Sequence, residues 1–391
     1  MRTIDEFSRP KGLRVGILTY HFSDNYGAML QAYTLRSWFR ERGCSAEFIN
    51  YQPTYVEAGG RFSASLDLRS LRENLKVVYK RGAHLWQRIF GDSKQHAALN
   101  DFRARQLGAV GTVYKTRKSL LHSLSGFDLL VAGSDQVWSP SGNTGLDPVY
   151  FLDFPPIAGQ RRISYAASFG RSELPQRYEA AVARMLAGLD GISVRERSGI
   201  AIVERFTQCP VTQVPDPTIL RGHVDDLVID NFERESVPYV FCHVLRSPEL
   251  IRDVAQRVAD ELDARIWSGF NPHRRWREIG ETYFAGPREW VSKIGDASFV
   301  VTNSYHAAIT AILRRRSFFV VVLSGIRQPL NDRIIDLLGE LGLQDRIISS
   351  LDGEDIARKM KDIIDWDGVA RRMTVLQARG ERYLNSQLEK H

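Results

Sequence analysis

The 391-residue sequence has no apolar run longer than the six residues Phe318 to Leu323, far short of the roughly 20 that cross a bilayer. The run reads as a buried strand, and a spanning helix is not expected. The first twelve residues carry Asp5, Glu6 and Pro10 without an apolar stretch, so no signal peptide is expected there and the cytosol is the expected compartment. Cysteine is scarce. Cys44, Cys209 and Cys242 are odd in number and far apart, with no C-x-x-C pair, which argues against a disulfide framework or a structural zinc. Neither G-x-G-x-x-G nor G-K-[ST] occurs, so the dinucleotide fingerprint and the phosphate loop are both missing. No internal repeat, low-complexity tract or nucleic-acid module is apparent, and no nucleic-acid partner is expected.

What is present is the balance of a folded chain: 43% hydrophobic, 10% aromatic and 25% charged residues in 44.5 kDa. That size exceeds what one core usually serves, so two domains are expected. The positive charge is concentrated. Lys and Arg outnumber Asp and Glu thirteen to four between Arg61 and Lys118, a local +9 in a chain of net +7, which leaves the remainder near neutral at −2. The same stretch carries Leu66, Leu68, Leu71, Leu75, Val78, Leu85, Trp86, Ile89 and Phe90 at spacings close to an apolar helical stripe. Two readings are open: a helical insertion packed on the first domain with solvated charges, or a basic amphipathic surface that docks on an anionic membrane.

Apolar strands alternate with helical periodicity along the chain. Strands are predicted at 13–19, 46–49, 128–132, 162–166 and 191–194, with helices at 29–42 and 174–189. A second series places strands at 239–245, 264–267, 298–302 and 318–323, with helices at 247–262, 287–294 and 306–314. This alternation implies an α/β fold of two Rossmann-like domains with mostly parallel sheets. The expected boundary lies in the polar stretch 221–237, giving a first domain over 1–225 with the basic insertion at about 61–118. The second is expected over 226–391, its last helices packing back on the first. Ligands of such sheets bind beyond the C-terminal strand ends, so a cleft between the domains is the expected site.

Five segments fall just after predicted strands. Ser23 to Ala28 suits a turn feeding a helix N-terminus, which serves as an anion site or simply as a cap. In Gly133 to Trp138, Asp135 can accept sugar hydroxyls and Trp138 can stack on a sugar ring; the plainer reading is a capped turn with a half-buried indole. The small residues of Ser164 to Gly170 allow backbone to approach a ligand or a helix to pack closely. In Ser193 to Glu196, Arg195 suits a phosphate or carboxylate but an acid-paired surface arginine is the commoner outcome. His306, after Thr302-Asn303-Ser304-Tyr305, opens a helix, where a structural and a catalytic histidine are both open readings.

In order, D-N-Y-G-A-M-L-Q-A-Y (24–33), G-S-D-Q-V-W (133–138), S-Y-A-A-S-F-G (164–170), I-S-V-R-E (192–196), V-P-D-P-T (214–218) and T-N-S-Y-H (302–306) resemble the polysaccharide pyruvyl transferase family. The resemblance implies a fold similar to the B-type glycosyltransferases. It also implies transfer of the enolpyruvyl unit of phosphoenolpyruvate onto a sugar of a cell-surface polysaccharide precursor, often lipid-linked, as a pyruvate ketal. By position, His306 matches the family's catalytic histidine, Arg195 an arginine holding the donor's anionic groups, and Asp135 a functional carboxylate. Asn303, Ser304, Tyr305 and Ser168 complete the expected donor site; Asn25, Tyr26, Gln136 and Trp138 are expected at the acceptor. Asp135 or Asp24 is expected to deprotonate the acceptor hydroxyl. The family pattern has Arg and Gly where this chain has Ser304 and Ala307, so a second cation for the phosphate must come from elsewhere, with Arg327, Arg333 and Arg246 as candidates. No cofactor or metal is required by this chemistry. The rival enzymatic reading is a nucleotide-sugar-dependent glycosyltransferase of the same architecture; a third is a non-enzymatic sugar-binding or membrane-docking module.

Overall fold

The computed structural model describes residues 12–58, 62, 70–72, 74–79, 81–82, 92–140, 145–245, 249–270, 279–323, 331–351 and 355–390. Arg246 and Arg327 lie outside the described residues.

The first sheet is parallel, in the order β2 (Ser45–Phe48), β1 (Arg14–Leu18), β3 (Leu129–Ala132), β4 (Arg161–Ser164). Parallel bridges from Ile163 to Gly191 and from Ala167 to Val194 continue it into β5 (Ile192–Val194) and β6 (Val211–Gln213). The second sheet is also wholly parallel. It runs β9 (Glu281–Tyr283), β8 (Arg265–Gly269), β7 (Tyr239–His243), β10 (Phe299–Thr302), β11 (Phe318–Val321), β12 (Ile347–Ile348). Counted from its own first strand this is the order 3-2-1-4-5-6 of the doubly wound nucleotide-binding fold. The chain is α/β with two Rossmann-like sheets.

Parallel strands covered on both faces must be apolar on both faces, and these are. Along β7, Val240 and Cys242 point into one apolar cluster while Tyr239 and Phe241 point into another, the period-2 alternation of a pleated strand. Three clusters result. One packs the outer face of the first sheet against α3 (Glu179–Leu186) and α4 (Arg197–Val203), and a second packs the far face of the second sheet against α6 (Glu249–Leu262). The third is shared by both halves. It joins Val15, Ile17, Leu129 and Val131 of the first sheet to Phe241, Val300, Phe318 and Val320 of the second through a middle layer of helices. Those helices are α1 (Tyr26–Glu41), α7 (Pro287–Asp296), α8 (Tyr305–Leu313), α9 (Asp332–Leu341) and the long α10 (Trp366–Leu388).

Because α1 and α8 lie in this middle layer they are apolar nearly all round: 12 of 16 residues of α1 and 8 of 9 of α8 are buried. Each opens on a side-chain cap. Asn25 Oδ1 accepts from Ala28 N at 3.0 Å, and Ser304 caps α8 through Ala307 N. The chain's last helix crosses back to the first sheet, where Tyr383 donates to Ser164 O at 2.9 Å and Arg161 binds Gln387. In the basic region, α2 (Ser93–Asp101) is tied to α1 by Gln95 Nε2 donating to Tyr26 Oη at 2.8 Å. No helix among the described residues is long and apolar enough to cross a membrane.

Candidate active site

Both sheets reverse winding direction at one point, and the loops leaving the strands there define a crevice. In the first sheet that point lies between β1 and β3. Thr19, just after β1, donates to Ser134 O at 3.0 Å, and Gln31 of α1 donates to Thr19 Oγ1 at 2.8 Å, which binds the post-β3 loop to the start of the fold. In the second sheet the reversal lies between β7 and β10, where Thr302 Oγ1 donates to His243 O at 2.5 Å. His306 follows directly.

The side chains from these loops converge on one residue, Asp216. It leaves β6, is fully buried, and caps the short helix α5 (Pro217–Arg221) by accepting from Thr218 N at 3.0 Å. Its Oδ2 lies 3.1 Å from Arg195 Nη1, 3.3 Å from His306 Nε2 and 3.4 Å from Ser134 Oγ. Arg195 comes from the end of β5 beside the first sheet and His306 from α8, which follows β10 of the second. The structure thus brings together the two residues that the sequence placed in separate strand-end motifs.

Arg195 is wrapped in acid. Glu196 Oε2 lies 3.5 Å from its Nε, Asp135 Oδ1 4.0 Å from its Nη2, and the Tyr305 ring centroid 5.0 Å from its guanidinium carbon. Burial alone would pull this guanidinium down; Glu196 and Asp216, with Tyr305 and Asp135 beyond them, hold it above its ordinary value instead. The complementary effect falls on Asp216. Burial opposes its charge, but His306 and Arg195 outweigh burial and keep it below the usual carboxylate range. A second guanidinium shares the platform: Arg333 of α9 lies 5.5 Å from the centroid of the same Tyr305 ring. Burial, and then the charge of Arg195, lower its pKa.

Several buried polar atoms of this cluster have no hydrogen-bond partner among the described residues: Arg195 Nε and Nη2, Glu196 Oε2 and His306 Nε2, each within ion-pair reach of an opposite charge but not aligned as a hydrogen bond. Leaving one such group unsatisfied costs about 1 to 3 kcal/mol, so a concentration of them points to a ligand with both donors and acceptors.

His306 is held on its other flank by α1. A Cβ built on Gly27 would lie 2.3 Å from Nδ1 and 2.7 Å from Cγ, so the imidazole rests where only glycine leaves room. The ring of Tyr305 meets it edge-on at 5.2 Å.

The remaining expected site residues divide. Asp135 stands beside Arg195 in a left-handed turn at φ 79°, its carboxylate also accepting from Gln136 N at 2.8 Å. Tyr305 is the platform just described. Ser168 is fully buried and donates to Glu196 Oε1 at 2.5 Å, so it orients the acid beside Arg195. Ser304 is spent as the α8 cap, and Asn303 Oδ1 accepts from Leu245 N at 2.8 Å. Gln136 is half-buried against Gly170, whose added Cβ would meet its Cδ at 2.7 Å.

Four expectations need correction. Trp138 offers no face to a sugar: its indole is fully buried, stacked on Phe151 at 4.9 Å and donating to Tyr150 O at 2.9 Å. The chain turns inward there because Trp138 N is bound to Ser168 O at 3.1 Å. Tyr26 ties α1 to α7 rather than lining a crevice, stacked on Trp290 at 5.2 Å and donating to Ala285 O at 2.7 Å. Asn25 serves as the α1 cap, its side-chain oxygen taken by Ala28 N. Asp24 is ion-paired with Arg103 of the basic region and is not part of the cluster around Asp216.

Sequence reasoning did not single out Asp216, Glu196 or Gly27 as site residues. The only signal for Asp216 was a carboxylate between two prolines immediately after a strand, within V-P-D-P-T.

A family model for polysaccharide pyruvyl transferase matches residues 25–324 of the chain. Among curated proteins none matches. Among solved structures the chain is similar to an O-GlcNAc transferase mutant of Thermobaculum terrenum, with TM-score 0.47 and 9% identity over 97% of this chain and 67% of that one. It is also similar to S. aureus MnaA in its UDP co-structure, with TM-score 0.47 and 11% identity over 96% and 95% of the two chains. A third similar structure is UDP-N-acetylglucosamine 2-epimerase from Rickettsia bellii, with TM-score 0.45 and 9% identity over 97% of each.

Proposed function

This chain belongs to the polysaccharide pyruvyl transferase family, and on that premise we propose that it moves the enolpyruvyl unit of phosphoenolpyruvate onto a saccharide, forming a pyruvate ketal and releasing phosphate. The observation that supports this reading is the convergence, on Asp216, of Arg195 from the end of β5 and His306 from α8, with buried donors and acceptors still unsatisfied around them.

Phosphoenolpyruvate carries a phosphate and a carboxylate on an enol carbon. Arg195 and Arg333, both against Tyr305, are a matched pair for one of these anions. Asp216 lies 3.3 Å from His306 Nε2, placed to hold an imidazolium there. Imidazolium His306 then gives its proton to the methylene carbon. The enol pair forms the C–H bond, C2 becomes electrophilic, and a sugar hydroxyl adds to it while Asp135 accepts the hydroxyl proton. A second hydroxyl displaces phosphate from C2 and closes the ketal; its proton restores His306, and the proton held by Asp135 passes to the departing phosphate, which leaves as hydrogen phosphate. Positioned acid catalysis of this kind contributes typically 10²- to 10⁴-fold. Asp216 stays ionised throughout and holds the imidazolium.

The test is calorimetric titration of the protein with phosphoenolpyruvate and, separately, with nucleotide sugars, in two buffers of different ionisation enthalpy. Phosphoenolpyruvate is expected to bind with uptake of a proton, and His306→Gln to remove the uptake while leaving affinity within a few-fold. Binding of a nucleotide sugar in place of phosphoenolpyruvate overturns the donor assignment; donor binding with no proton uptake removes His306 from the acid role.

A further inference from the structure

The exposed apolar residues of the basic region carry an inference that does not depend on the chemistry above. Residues 70–72, 74–79 and 81–82 are helical. Leu71, Leu75, Val78 and Tyr79 on this helix are 43%, 68%, 56% and 52% exposed, while Val77 is 1% exposed. At 3.6 residues per turn, the four exposed side chains fall within one arc about 100° wide, and Val77 lies nearly opposite. The buried side of the helix is thus the one that carries Val77, and its apolar stripe faces solvent, the reverse of what a packed surface helix does. Exposed Arg72 and Lys76 flank the arc on one side and Arg81 on the other. Arg81 lies 4.6 Å from the ring centroid of Phe62, which is itself 51% exposed.

We propose that this helix is a docking surface for an anionic phospholipid membrane, its apolar stripe seated at the headgroup boundary and its basic flanks on lipid phosphates. Charge complementarity fixes the occupant. The stretch 61–118 holds +9 while the rest of the chain is near neutral, and an apolar stripe edged by Lys and Arg is the arrangement of helices that lie in the membrane interface. Each basic residue near such a surface strengthens binding by about fivefold.

The experiment is co-sedimentation of the full-length chain with large vesicles of phosphatidylcholine, with and without phosphatidylglycerol, at low and high salt. Binding is expected to the anionic vesicles only, weakened by salt, and reduced at least tenfold by Leu75→Glu with Val78→Glu and, separately, by Arg72→Glu with Lys76→Glu. All four positions are exposed, so thermal unfolding of both variants should match the parent. Failure to bind anionic vesicles overturns the proposal, as does equal binding to neutral ones or binding that both variants retain. Self-association that Leu75→Glu abolishes, without vesicle binding, assigns the face to a second copy of the chain and overturns it too.

Discussion

Replacing Gly27 by alanine should silence catalysis while leaving the protein folded. The new methyl carbon would lie 2.3 Å from His306 Nδ1, 2.7 Å from Cγ and 3.0 Å from Cβ, whereas ordinary contact needs roughly 3.4 Å or more. The imidazole or the two helices must therefore give by about 1 Å. Alanine itself fits the backbone: Gly27 does not occupy the left-handed region, and Gly to Ala within a helix is favourable by up to about 1 kcal/mol. That gain offsets part of an overpacking cost of about 1 to 3 kcal/mol, so net stability should change by less than about 2 kcal/mol. Catalysis has no such compensation, since a 1 Å displacement of a reacting group costs on the order of 10²-fold in rate. The assay is phosphate release from phosphoenolpyruvate under saturating acceptor, beside donor affinity by calorimetry and a denaturant melt. The expected pattern is kcat down about 10²-fold, donor affinity within a few-fold, and the melt nearly unmoved. Turnover at the parent rate in a folded Gly27→Ala protein would refute the claim that the α1 contact sets the position of His306.

Further outcomes follow from the same cluster. Arg333→Met should weaken phosphoenolpyruvate binding by roughly 10- to 100-fold, the worth of a charged hydrogen bond, yet raise stability slightly by relieving Arg195; a thermal-shift series with and without the donor reads both signs. Asp216→Asn leaves Arg195 buried with one carboxylate fewer and should destabilise the fold by roughly 3 to 5 kcal/mol in a denaturant melt, the cost of breaking a buried ion pair. Acid should weaken the fold at His21. Burial lowers its pKa to about 4, with bonds to Asn50 and Thr19 opposing, against an ordinary value near 6.5. The unfolded chain takes up this proton below pH 6.5 and the folded protein does not until about pH 4. The stability conferred by the neutral ring is therefore present above 6.5 and lost on the way down to 4, about 3 kcal/mol in all. His21→Gln should flatten that limb of the stability profile.

The strands that could be read from the sequence were those buried on both faces, such as Leu129–Ala132 and Phe318–Val321, where apolar runs leave little ambiguity. Those that escaped are short or polar and owe their conformation to a neighbour. Among the described residues Val211-Thr212-Gln213 pairs only with β5 and Glu281-Thr282-Tyr283 is a sheet edge, while Ile347–Ile348 is two residues long. Arg195 and His306 drew notice by following strands, but their composition left ordinary readings open, and it was the family resemblance that paired them. Asp216 was not, because a carboxylate between prolines looks like any helix cap until tertiary structure sets a guanidinium and an imidazole against it. Trp138 misled for a related reason: its position after β3 suggested the crevice, but the reversal at Asp135 turns the following residues into the core. Gly27 shows the same limit, since its reason for being glycine lies in a ring from the other half of the chain.

The apolar cluster common to both sheets also constrains how the molecule comes apart. Since α1, α8 and α10 each contribute side chains to one continuous oily interior, neither half has a complete core of its own to fall back on. The two halves should melt together in a single calorimetric transition, and any rearrangement that admits a donor should be a small sliding of packed helices rather than a wide swing about a linker.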